Sequence, residues 1–95
     1  NAKLNKDCQK QRLMIMAPEQ ALAAKAELIL ANILAVPLIE LAPLIISALN
    51  HHGTLILSGI LEREIPAVTN AYEAQLTLID TAVQDEWARL VFHKP

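Results

Sequence analysis

Four uninterrupted apolar residues, Leu28 to Ala31, run straight into Asn32, and that junction constrains the chain more than any other stretch. A strand apolar on both faces belongs inside a sheet covered on each side, usually a parallel one. Asn32 closes the run at what is then the carboxyl end of the strand. Ligands sit along that edge in open α/β sheets. A carboxamide placed there offers donors and an acceptor to something small and polar. Its duller use is to bond its own turn, as Asn commonly does at strand ends. The chain continues ILAVPLIEL, with Pro37 placed for the first turn of a helix, where its missing N–H costs nothing.

The same residues could be mistaken for a membrane span. Leu28 to Leu49 is long enough to reach about 33 Å as a helix. It holds Asn32, Glu40 and Ser47 with prolines at 37 and 43, and a carboxylate in mid-span is costly in lipid. Strand, turn and helix is the better account, and no membrane partner is expected.

Upstream, Asn1 to Gln11 suits the tail of a helix, with Leu4 and Cys8 four apart on one face. Arg12 to Met16 is an apolar run of strand length ended by Ala17-Pro18. Glu19 to Glu27, EQALAAKAE, favours a short helix. Beyond the central strand, Leu38, Leu41, Ile45 and Leu49 make a helical core stripe, which Pro43 should kink or delay. Asn50 to Gly53 then forms a turn, and Thr54 to Leu57 a second fully apolar strand ended by Ser58-Gly59. Glu62 to Ala74 is predicted helical, with Leu61, Ile65, Val68 and Tyr72 on one face. Leu76–Val83 and Trp87–His93 are strand-like runs whose connection is short enough only for an antiparallel hairpin. Alternating strands and helices imply a parallel sheet with right-handed crossovers, here closed by that hairpin.

Composition bounds the function. The chain has 95 residues, 54% hydrophobic, and a net charge of −2 with no basic cluster, so a nucleic-acid footprint is absent. So apolar a chain of this size implies strands meant to be covered by more protein. Cys8 is the only cysteine, which excludes an internal disulfide. The polar start NAKLNKDCQKQR lacks the apolar core of a signal peptide, and a cytoplasmic location is expected.

The run AELILANILAVPLIELAPLI, then GTLILSGIL, then AYEAQLTLIDTAVQDEWARLVFHK, closely resembles the C-terminal part of the PrmA family. These are bacterial methyltransferases acting on large-subunit ribosomal protein eleven. The resemblance implies the C-terminal half of a Rossmann-like class I methyltransferase sheet, an α/β fold of parallel strands, crossover helices and a terminal antiparallel hairpin. Residues 1–95 would then supply the third to seventh strands, without the glycine-rich cofactor half or the substrate-recognition domain. It further implies S-adenosyl-L-methionine as cofactor and a ribosomal protein lysine or N-terminal amine as methyl acceptor. Asn32, Ile33 and Leu34 match the Asn-Pro-Pro-Tyr-like position of amino-group methyltransferases. There Asn32 and nearby carbonyls would orient the amine, Ile33 and Leu34 would position the substrate, and Asn32 would also face the cofactor. Glu19 lies near where adenine is read in such folds, although an exposed carboxylate at a helix start explains it as simply.

Departures from the family pattern bear on activity. Val36 stands where glycine is usual, and His52-Gly53 replaces a glycine pair. Gly53 and Gly59 are the only glycines, so the glycine-rich turn that receives a cofactor is missing. The 95 residues alone should be catalytically silent, and a non-catalytic interaction or structural module is the alternative. In the family sheet two strands separate the third from the fourth. Arg12–Met16 should therefore be displaced, paired elsewhere or supported by other chain, leaving an edge for self-association.

The remaining candidates have plain explanations. His51 and His52 lack a third metal ligand nearby. Cys8 suits an apolar helix face. Ser58 has no nucleophile setting. Trp87 suits the hairpin core, and Asp80, Asp85 and Glu86 the surface.

Overall fold

The computed structural model describes residues 12–15 and 26–95. The helices expected before Arg12 and over residues 19–25, with Cys8 and Glu19, lie outside these residues. The described elements are β1 (Arg12–Ile15), β2 (Ala26–Asn32), α1 (Ala35–Glu40), α2 (Ala42–Ala48), β3 (Leu49–Leu61), a 3-10 turn (Glu62–Glu64), α3 (Ile65–Glu73), β4 (Thr77–Gln84) and β5 (Trp87–His93). They build one five-stranded sheet in the order β1-β2-β3-β5-β4. The first three strands run parallel, and β5 is antiparallel to both of its neighbours. The α/β class and closing hairpin expected from the sequence are both present.

Pairing register explains where the core sits. Ile29 faces Leu55, which faces Phe92, and Ile15, Ala31, Leu57 and Leu90 form the adjoining row. Both rows are fully buried, together with Leu38, Ile45, Val68 and Tyr72 from the helices. Tyr72 lies against Phe92 with ring centroids 5.5 Å apart, within the range of a favourable aromatic contact. Its hydroxyl donates to the Leu38 carbonyl at 2.7 Å, tying α3 to α1. All three helices thus cover the same face, as successive right-handed crossovers in one direction require. The opposite face is also apolar. Met14, Leu30, Ile56 and Val91 form one lateral row across four strands.

Several boundaries differ from the sequence reading for physical reasons. Pro43 does delay a helix: α1 stops at Glu40 and α2 restarts at Ala42 with the proline in its first turn. Ala26 and Glu27 belong to β2 and not to the helix expected from the sequence, and Leu49 opens β3 although it keeps its buried place in the core stripe. The expected turn at Asn50–Gly53 falls inside β3 as an irregularity, with His52 at a φ of 70° and the β2 register jumping from Leu49 to Thr54. His52 donates its backbone N–H to the Lys94 carbonyl at 2.6 Å, and Lys94 returns one to Gly53 at 3.0 Å. The Lys94 ammonium also bonds the carbonyls of Ile46 and Leu49, satisfying the end of α2. The helix expected from Glu62 begins as a 3-10 turn, closed by the Leu61 N–H donating to Glu64 Oε1 at 2.7 Å.

β1 pairs directly with β2, from Arg12 opposite Leu28 to Ile15 opposite Ala31. It therefore occupies the β2 edge from which the family order would separate it by two strands. Hydrogen bonding of an apolar edge is sufficient reason, since an unpaired β2 would leave buried-type backbone groups unsatisfied.

The hairpin turn is two residues long, because Gln84 belongs to β4. Asp85 and Glu86 both have positive φ, 53° and 73°, the pattern that matches strand twist. Glu86→Gly should therefore stabilise the fold by about 0.5–1 kcal/mol, read as a higher denaturant midpoint at unchanged slope. Tyr72→Phe should cost about 1–2 kcal/mol by leaving the Leu38 carbonyl without its partner. Burial raises the Tyr72 pKa above its ordinary 10.0. Above that pH the unfolded chain loses the proton first, so stability should decline with rising pH there, and Tyr72→Phe should flatten the decline.

Candidate functional site

The carboxyl ends of β2 and β3 and the turn of the hairpin converge on a groove of about 1010 Å³. Parallel pairing brings Asn32 opposite Ser58. Beyond that pair the parallel ladder ends, β2 turning into α1 while β3 continues against β5. The β3–β5 register slips between Leu57 and Ile60, so Ser58 and Gly59 form a bulge and do not end the strand as expected. Asn32, Leu34, Pro37, Ser58 and Gly59 are among the residues that line the groove.

Asn32 is exposed at the strand end. Among the described residues its carboxamide has no hydrogen-bond partner, so it is not consumed by its own turn. Its donors and acceptor are available to a ligand. Ile33 is buried in the core, at 6% exposure, so it gives the groove backbone atoms more than side chain. Leu34 is 67% exposed on the rim, where it adds apolar surface. The three residues singled out in sequence are thus brought together, each in a different capacity. Glu19 lies outside the described residues.

The hairpin supplies the wall that the sequence did not reveal. Val83, Asp85, Trp87 and Arg89 all line the groove. Trp87 is 52% exposed, which corrects its assignment to the hairpin core. Alternation accounts for this: Ala88, Leu90 and Phe92 face the helices, so Trp87 and Arg89 face away. The parallel direction of β3 and β4 was legible, and it alone places the β4–β5 turn beside the carboxyl end of β3. Arg89 lies 3.6 Å from Asp80, an exposed pair that contributes little to stability. His51 bonds the Pro95 carbonyl through Nδ1 at 3.0 Å, away from the groove. Among the described residues no three His, Cys, Asp or Glu side chains form a metal cluster, and no helix is long and apolar enough to cross a membrane.

A family model described as ribosomal protein L11 methyltransferase (PrmA) matches residues 1–95. A curated protein of that name from Idiomarina loihiensis is 40% identical over 90 residues, which cover 95% of this chain and 30% of the relative. Another from Chromohalobacter salexigens is 38% identical over 96 residues, covering 100% of this chain and 32% of its own length. The chain therefore spans about a third of the curated relatives it matches. A solved ribosomal protein L11 methylase from Lactobacillus delbrueckii subsp. bulgaricus superposes with a TM-score of 0.71 at 32% identity, covering 77% of this chain and 38% of that one. The N-methyltransferase NodS from Bradyrhizobium japonicum shares the fold, with a TM-score of 0.60 at 11% identity. Sequence match along the whole chain and the shared Rossmann-like sheet agree, and the chain belongs to the ribosomal protein L11 methyltransferase (PrmA) family.

Proposed function

We propose that this chain supplies the amine-orienting part of an S-adenosylmethionine-dependent methyltransferase acting on a ribosomal protein. The observation that carries the reading is the unengaged Asn32 carboxamide at the carboxyl end of β2, facing an apolar-walled groove. When bound, S-adenosylmethionine supplies an electrophilic methyl group. The residues described here fit the acceptor side of that chemistry. The glycine-rich cradle for the cofactor is not among the two glycines of the sequence, so activity is proposed for the natural polypeptide that carries these residues.

A lysine or N-terminal amine attacks only when it is deprotonated and its lone pair points at the methyl carbon. The Asn32 carbonyl oxygen can accept one amine hydrogen and a backbone carbonyl at Ile33 another, leaving the lone pair directed along one line. Neither group carries charge, so the neutral amine is favoured over the ammonium more than a carboxylate would favour it. Val83, Pro37 and Trp87 offer apolar surface to the methylene stem of a lysine and keep water from the amine. Holding the amine in that geometry is the main contribution the protein can make to such a transfer.

The test is methyl transfer by the natural polypeptide. Asn32→Ala should lower kcat by about a hundredfold or more, with a smaller change in cofactor affinity. Asn32→Asp should restore amine binding at high pH less than it restores charge pairing with the ammonium, giving a shifted pH profile. Full activity of Asn32→Ala would remove Asn32 from the mechanism.

The 95-residue chain on its own is proposed to self-associate through the outer edge of β1, a strand of four residues with Met14 60% exposed. Light scattering should give a mass above the 10.4 kDa of one chain. A stable monomer at micromolar concentration would refute this.

A further inference from the structure

We infer that Gly59 is a positioning residue: the absence of its side chain sets both the Asn32 carboxamide and the backbone of Ile33 in place. The inference rests on the amine-orienting reading and adds a residue to it. A β-carbon built on Gly59 would stand 2.6 Å from Asn32 Oδ1, 3.1 Å from the Ile33 carbonyl oxygen and 3.4 Å from the Ile33 nitrogen. The first distance is well inside van der Waals contact. The atoms met are the two acceptors assigned to the amine, so a single methyl group would press on both.

Backbone geometry reaches the same residue independently. Gly59 has φ of +84°, a conformation that other residues adopt only with strain. It sits where the β3–β5 register slips, and the bulge turns the β3 backbone toward the end of β2. The neighbouring register pair, Asn32 with Ser58, is the last of the parallel ladder. Past it no backbone hydrogen bond between β2 and β3 fixes the Asn32 turn. Close packing against a bare Cα takes over that task. A side chain at position 59 would rotate the carboxamide away from the groove or push the Ile33 carbonyl outward, and either movement misdirects the amine.

Steric contact and backbone strain are separable in a double-mutant cycle, carried out on the natural polypeptide. Gly59→Ala should lower kcat about a hundredfold, as expected for a misplacement of about 1 Å, while cofactor affinity changes little. In an Asn32→Ala background the same substitution should cost several-fold less than it does alone, because the carboxamide it displaces is gone while the Ile33 carbonyl and the positive φ remain. The side-chain amide resonances of Asn32, assigned by their loss in Asn32→Ala, should shift in Gly59→Ala. This readout needs no activity, so it stands even if Asn32 proves dispensable for methyl transfer. Should Gly59→Ala fail to fold while the double variant folds, the collision with Asn32 is confirmed directly. Unchanged Asn32 resonances, strictly additive kcat losses, or failure of both variants to fold would each show that Gly59 serves only the backbone.

Discussion

The structure depends on the parallel ladder between β2 and β3. Leu28 to Asn32 lie opposite Thr54 to Ser58 without a break, and the ladder buries Ile29, Ala31, Leu55 and Leu57 completely. Each of those side chains removes apolar area from water worth roughly 1.5–3 kcal/mol for the larger ones. The same pairing fixes which atoms meet at the groove. Because side chains alternate along a strand, a one-residue slip would send Ile29 and Leu55 to the open face and separate Asn32 from Ser58. Stability and site geometry therefore share one register, and neither can change alone.

Everything beyond that ladder adapts to it. α1 and α2 must return the chain over one face in a short span, and the two prolines divide the return into two compact turns around Leu41. The Tyr72 hydroxyl then bonds the Leu38 carbonyl, fixing α3 against α1. At the far end, Asn50 reaches Glu27 at 3.2 Å and Lys94 closes on Ile46 and Leu49, so the amino end of β3 is held by polar contacts. The carboxyl end, by contrast, has a free carboxamide and a bulge. Polar groups are spent on structure at one edge of the sheet and left open at the other, which is the edge where chemistry is expected.

Much of this was legible in the residues. The apolar runs at Leu28 and Thr54, the delaying proline at 43 and the short hairpin connection each rest on local physics, and each appears where that physics places it. The failures have a common cause. Asn50 to Gly53 carries turn residues, yet hydrogen bonds from the distant Lys94 draw it into β3. Ser58-Gly59 looks like a strand end because glycine interrupts the pattern, yet β5 continues to pair past it. Trp87 looks like core by residue type, whereas its strand parity turns it outward. Long-range pairing decided all three, and composition within a window cannot report it. Asn32 stands out in the sequence because it breaks an apolar run; the part proposed for Gly59, a space next to an atom 27 positions away, leaves no such mark.

The apolar excess of the sequence has a structural counterpart in the sheet's second face. Leu28, Leu30, Ile56 and Val91 are only half-buried there, while the described helices all lie on the other side. A sheet designed for one covered face alternates apolar and polar residues; Leu28–Ala31 of β2 and Leu55–Leu57 of β3 do not. Their continuous apolar character is therefore a statement about coverage, made independently of the relatives' greater length. It also bears on the groove. On the proposed reading, the exposed Asn32 at the end of this run offers an uncharged acceptor, which does not favour the ammonium form of an amine as a carboxylate would. The uninterrupted apolar run and the uncharged residue that ends it are consequently two parts of one arrangement.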